Sequence, residues 1–125
     1  MEIIQNTGGI NPDFLNKLSI IAEIPTDNLI VKIQKSKNWG VSGICFAKLS
    51  RYNNAPFIGL RIPENASVKE IGLTWLHELS HHKDNLTKKQ AKEKGLWKPF
   101  RKYGGEKKAD NFAEIMWRKY KKFSR

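Results

Sequence analysis

The segment that most constrains the fold is SVKEIGLTWLHELSHH, residues 67–82. It predicts a helix whose central turns carry both apolar and ionisable side chains. Ser67 with Glu70 three residues later forms a capping box, in which each side chain can satisfy a free backbone N–H of the first turn. Apolar residues then recur at helical spacing on more than one face, which is typical of a helix at the centre of a domain. These residues are Val68, Ile71, Leu73, Trp75, Leu76 and Leu79.

All three histidines of the chain lie in this predicted helix. His77 and His81 are four residues apart and share one face, so they can present two imidazoles to one metal ion. Glu78 is rotated by about 100° from His77 and can reach a metal-bound water without coordinating the metal itself. This is the HExxH arrangement, in which two histidines hold zinc and the glutamate is the general base. The alternative is a histidine satisfied within the core, but unpaired ionisable groups are costly there, which favours a metal.

A catalytic zinc normally takes three protein ligands, and the sequence offers more than one candidate for the third. His82 points about 100° away from His81, so we expect it to have a capping or surface role. Glu106 begins a predicted final helix and could complete a His2Glu site. Asp110, one turn later, could accept a hydrogen bond from the far nitrogen of a ligating histidine. Glu114, two turns beyond Glu106, is the fallback ligand.

The remaining pattern predicts an α+β domain with the order α-βββ-α-α-α. A first helix is expected over residues 12–23, with Asn11 as its N-cap, and three strands, in a meander, account for residues 28–62. A second capping box, Thr87 with Gln90, predicts a separate short helix that Gly95 ends. The final helix is expected from residue 106 to about residue 122, and its Ala109 and Ala113 are small enough to let it approach the HExxH helix closely.

The charge of the chain is concentrated in its last third. The formal net charge is +11, and residues 83–125 carry fifteen Lys or Arg against five Asp or Glu. Such a segment can attract nucleic acid, an anionic membrane or an acidic partner, although a solvated helical surface explains most of the pattern. The chain lacks a recognisable signal peptide or a membrane-spanning stretch, so we expect a soluble, cytoplasmic protein. The single cysteine, Cys45, is predicted to be a buried strand residue.

Taken together, HELSH (residues 77–81) and EKKAD (residues 106–110) resemble the signature of the gluzincin metallopeptidases, HExxH followed by a helix bearing ExxxD. The segment EKKADNFA is also similar to the glutamate helix of ImmA/IrrE peptidases, ExxA[ND]xFA. The small size is most similar to the minigluzincins. The resemblance covers roughly residues 28–120 and implies a single zincin-like domain over residues 1–125, with a short, mainly antiparallel three-stranded sheet and a basic tail at about 118–125.

The resemblance implies a zinc-dependent endopeptidase that holds one zinc ion per chain. His77, His81 and Glu106 would be the metal ligands, Glu78 the general base and acid, and Asp110 a support for a ligand. The segment NAPFIGLRI (residues 54–62) would be the edge strand to which an extended polypeptide substrate adds itself. Larger family members take the group that stabilises the oxyanion from a further domain. Tyr103 is our first candidate for that group, and the other donors available here are Arg101, Tyr120 and Tyr52.

Two further interpretations compete with or modify this one. The chain could be a non-hydrolytic or regulatory zinc-binding module whose basic residues 83–125 bind nucleic acid or an acidic protein. Alternatively, the peptidase could be latent, because the C-terminal segment folds over the cleft or pairs with a second chain to form a dimer.

Overall fold

The computed structural model describes residues 1–37, 39–95 and 105–123. The elements, in chain order, are β1 (Glu2–Asn6), α1 (Pro12–Ile21), β2 (Ile30–Ser36), β3 (Ser42–Leu49), a 3-10 turn (Ser50–Tyr52), β4 (Ala55–Pro63), α2 (Val68–Glu93) and α3 (Glu106–Phe123). The α+β class is as predicted. Among the described residues, no helix has an apolar stretch long enough to cross a bilayer.

The sheet is mixed and has four strands in the order β1-β2-β4-β3. Strands β1, β2 and β4 are parallel, and only β3 is antiparallel to its neighbour, β4. The predicted three-stranded, mainly antiparallel meander is therefore wrong in three respects: it lacks β1, it places β3 between β2 and β4, and it expects antiparallel pairing where two of the three strand pairs are parallel. The predicted edge strand is wrong for the same reason. Strand β4 is held between β2 and β3, so the edge on this side of the sheet is β3.

Helix α2 is one continuous helix, where the sequence predicted two. Its start agrees with the predicted cap, since Ser67 Oγ accepts a hydrogen bond from the Glu70 backbone N–H at 3.1 Å. The second predicted capping box is wrong: Thr87 lies inside the helix, and its hydroxyl donates to the carbonyl of Lys83, one turn earlier, at 3.1 Å. Gly95, just past the end of α2, has a φ of +70°, a conformation that glycine adopts without strain.

The core lies between the sheet and the helices, and Trp75 is at its centre. Trp75 is fully buried, and its indole Nε1 donates to the Leu15 carbonyl at 3.0 Å, which joins α2 to α1. Apolar side chains from β2 and β4 complete this core; they are Val31, Ile33, Ile58, Leu60 and Ile62. Burial of this set fixes the position of α2 on the sheet.

Helix α3 packs closely against α2 because the residues between them are small. Ala109 and Ala113 are almost fully buried, as a close helix contact requires. On α2, Gly72 leaves room for the ring of Trp117, and a Cβ at residue 72 would overlap that ring. The contact holds the first turn of α3, with its acidic residue Glu106, beside the centre of α2.

Candidate metal centre

His77, His81 and Glu106 converge on one point between α2 and α3. Glu106 Oε2 lies 2.9 Å from His77 Nε2, and Glu106 Oε1 lies 2.9 Å from His81 Nε2. The two imidazole Nε2 atoms are 3.2 Å apart. The histidines meet because they are one helical turn apart on α2, and Glu106 reaches them because it begins α3. These three residues lie close enough together to bind a metal ion.

The chemistry of these three residues is compatible with a bound cation. Asp110 Oδ1 lies 2.7 Å from His77 Nδ1. An ionised carboxylate can only accept, so Nδ1 carries the hydrogen, and in the neutral ring Nε2 presents a lone pair towards Glu106. When His81 is also neutral with its hydrogen on Nδ1, lone pairs from two histidines and a carboxylate face one another, an arrangement that a cation between them stabilises. The separations between these atoms are 2.9–3.2 Å, and Glu106 places one carboxylate oxygen beside each histidine nitrogen.

Glu78 lies beside this point and is almost completely buried. It is 6% exposed, and its Oε1 is 4.0 Å from His77 Nε2, so it is near the candidate ligands but outside their group. Burial raises the pKa of the Glu78 carboxyl above its ordinary value, and the negative charge of Glu106 raises it further, while His77 and His81 act in the opposite direction. A buried carboxyl with a raised pKa is well suited to take up a proton.

Edge strand β3 forms the wall opposite α2, and Gly43 allows it to approach. A Cβ at residue 43 would lie 2.7 Å from Glu78 Cγ and 3.1 Å from Thr74 Cγ2. Only glycine therefore lets the strand pass this close to the Glu78 side chain. Gly43 is not among the residues predicted for the site, although a glycine inside a predicted strand often marks a close backbone approach.

Cys45 lies on the same strand and is partly buried, in agreement with its predicted strand position. Burial and the negative charge of Glu78 raise the pKa of its thiol to about 12. The Asn85 side-chain amide donates to Cys45 Sγ at 3.7 Å, which links β3 to the second half of α2.

Two clefts open on either side of the buried carboxylate. One, of about 520 Å³, runs between β3, α2 and α3, and Val41, Leu73, His77, Asp110 and Glu114 are among its lining residues. The other, of about 350 Å³, lies towards Cys45, His81 and Asn85. Gly43, Glu78 and Glu106 line both clefts. Glu78 therefore faces both clefts beside β3.

The other residues singled out from the sequence lie elsewhere. The capping or surface role predicted for His82 is wrong, since this residue is 1% exposed and its Nε2–H donates to the Pro25 carbonyl at 3.1 Å. It lies on the core side of α2, about 100° around the helix from His81. Glu114 lines the larger cleft, while Glu106 makes both histidine contacts.

Two of the candidate oxyanion donors pack in aromatic clusters away from the metal centre. Tyr52 stacks on Phe57, with ring centroids 5.6 Å apart, and Tyr120 packs against Phe14 at the same distance. Neither ring lines the two clefts beside Glu78. Tyr103 and Arg101 lie outside the described residues.

Comparison of the chain with protein-family models, with curated proteins and with solved structures found no match. The function must therefore be inferred from the geometry of the site.

Proposed function

We propose that this protein is a zinc-dependent endopeptidase of minimal gluzincin-like type, acting on extended polypeptides. The observation that carries the proposal is the convergence of His77, His81 and Glu106 to within 3.2 Å of one another, with the buried Glu78 carboxylate beside them. Two histidines, a carboxylate ligand and an adjacent second carboxylate are the residue types that metal-assisted peptide hydrolysis requires.

Zinc is the metal that this donor set suits best. Imidazole nitrogens favour zinc over magnesium or calcium, and a single carboxylate oxygen with two imidazoles is a common catalytic zinc set. A zinc ion bound here would polarise the scissile carbonyl and lower the pKa of a water molecule. Asp110 holds His77 in the tautomer whose Nε2 is free to coordinate, and Glu106 supplies negative charge to both histidines.

Glu78 carries the proton in the proposed reaction. The residue is only 6% exposed, and it lines both clefts beside β3. It can therefore take a proton from the attacking water and then give it to the nitrogen of the leaving amine. The raised pKa of Glu78 favours the first transfer, and its nearness to both clefts lets it reach the scissile bond from either side.

The substrate would bind as an additional strand beside β3. Within the described residues this strand pairs only with β4, so the other edge of its backbone is available for hydrogen bonds. Backbone pairing would hold a peptide extended along the clefts, with little dependence on its side chains. The expected binding strand is thus β3, in place of residues 54–62.

Digestion of a diverse peptide mixture, read by mass spectrometry, tests the proposal. The wild-type protein should produce internal cuts that stop when a chelator removes the metal and return when zinc is restored. The matched variant Glu78→Gln should keep its zinc but produce no cuts. Zinc bound to the wild type without any cut would overturn the proposal and favour a non-hydrolytic zinc-binding module.

A further inference from the structure

The outward surface of α3 combines positive charge with exposed apolar side chains. At 100° per residue, five basic residues fall within an arc of about 120° on this helix. All five are exposed. They are Lys107, Lys108, Arg118, Lys119 and Lys122. We call this arc the basic face of α3.

The acidic residues of α3 lie on a different arc of the helix. Glu106, Asp110 and Glu114 fall within about 80°, centred about 120° away from the middle of the basic face. These acids line the cleft beside the metal centre. A partner on the basic face would therefore leave the cleft open to substrate.

Apolar side chains are exposed within and beside the basic face. Ile115 is 56% exposed and lies within the basic arc, while Phe123, at the end of the helix, is 75% exposed. Phe112 borders the same surface, where Lys83 of α2 places its ammonium 5.7 Å from the ring centroid. A shallow depression runs between Phe112, Ile115 and the two lysines of the first turn.

We propose that the basic face of α3 docks on an anionic lipid surface. Charge complementarity comes from the five bases, which are attracted to acidic headgroups; the charge of one of them, Lys108, is partly neutralised by Asp84 of α2, 3.5 Å from its ammonium. Ile115 and Phe123 would enter the boundary between headgroups and acyl chains, as apolar side chains of interfacial helices do. A nucleic acid backbone would attract the five basic residues but would not bury the side chain of Ile115. A lipid surface accounts for both the positive charge and the exposed apolar side chains.

Flotation of the protein with vesicles tests this inference. Vesicles of phosphatidylcholine alone should bind weakly, and vesicles that also contain phosphatidylserine should bind strongly at low salt and less at high salt. The variant Arg118→Gln/Lys119→Gln should lower the partition coefficient by about 25-fold, from about fivefold per lost charge. The variant Ile115→Ser should lower it by about tenfold, through lost apolar burial.

Matched controls distinguish an effect of the basic face from a general effect of net charge or surface hydrophobicity. Lys17→Gln/Lys48→Gln removes the same charge from exposed residues of α1 and β3, and Ile20→Ser removes an isoleucine of α1 that is 66% exposed. Both controls should bind anionic vesicles almost as well as the wild type. Equal loss in variants and controls, or no binding to anionic vesicles at low salt, would overturn the inference. Tighter binding to a single-stranded RNA that Ile115→Ser leaves unchanged would also overturn it, in favour of a nucleic acid partner.

Discussion

Asp110 accepts a hydrogen bond from His77, with 2.7 Å between Oδ1 and Nδ1, and so orients the opposite nitrogen of the ring towards Glu106. Partners of this kind fix the tautomer of a ligating histidine and increase its basicity. We expect Asp110→Ala to weaken zinc binding by about 10- to 100-fold. Competition with a chromophoric chelator measures this affinity.

Glu114→Ala is the control for Asp110→Ala. Glu114 lies one turn further along the same helix, and its replacement removes the same charge without touching His77. It should leave the zinc affinity within about twofold of the wild type, as expected for a screened surface charge. Equal losses in the two variants would mean that Asp110 acts only through its charge.

Gly43→Ala should impair catalysis while leaving the metal in place. The added Cβ would lie 2.7 Å from Glu78 Cγ, so the Glu78 side chain must move. A displacement of about 1 Å at a catalytic group can cost about 100-fold in rate, and we expect a fall in kcat of that order. Steady-state kinetics and zinc content measure the two effects.

Gly40→Ala provides the comparison for this substitution. A Cβ at Gly40 would have no neighbour within 4 Å, so this variant should retain the wild-type kcat. An unchanged kcat in Gly43→Ala would show that β3 moves aside without disturbing Glu78.

Gly72→Ala should destabilise the protein, although glycine to alanine usually stabilises a helix interior. The new methyl group would overlap the Trp117 ring, and overpacking of this kind costs about 1–3 kcal/mol. Because α3 also carries Glu106, we expect zinc affinity to fall together with the free energy of unfolding. Urea denaturation measures the stability, and a higher stability of Gly72→Ala would contradict the close contact of α2 with α3.

Glu78→Gln should stabilise the metal-free protein at neutral pH. Burial raises the pKa of Glu78 from its usual 4.5, so the folded state binds the proton more tightly than the unfolded state. The contribution of this group to stability is then fully present below pH 4.5 and is lost as the pH rises through the folded pKa. Glutamine carries no charge and avoids this loss.

Thermal unfolding in the presence of a chelator checks this prediction. The Tm of Glu78→Gln should exceed that of the wild type at pH 7, and the difference should shrink towards pH 4.5. Glu114→Gln, which changes an exposed residue, should have the same Tm as the wild type at each pH. A lower Tm for Glu78→Gln at pH 7 would show that the charged carboxylate is stabilised by its surroundings even without metal.

The sequence predicted the candidate site better than the sheet. Two histidines one turn apart, and an acid four residues before another acid, define helix faces through local geometry, and these faces meet in the structure. Sheet order depends on pairing between distant segments, which local patterns do not encode. Strand β1 is short, and it is held by parallel pairing with β2.

The helix boundaries also depend partly on local sequence and partly on residues distant in sequence. Ser67 caps α2 as predicted, but Thr87 has the same sequence pattern and bonds backwards to Lys83 inside the helix. The difference lies in the surrounding structure, because a capping box begins a helix only where the residues before it are not already helical. The burial of His82 was missed because its partner, the Pro25 carbonyl, is distant in sequence.

Equilibrium dialysis with zinc, followed by elemental analysis, tests the central claim most directly. The wild-type protein should bind one zinc ion per chain, as should Glu78→Gln and Glu114→Gln. Glu106→Gln should lose most of its affinity, because Glu106 is the residue that contacts both histidine nitrogens. Zinc binding that is unaffected by Glu106→Gln, or no zinc binding by the folded wild type, would contradict the account.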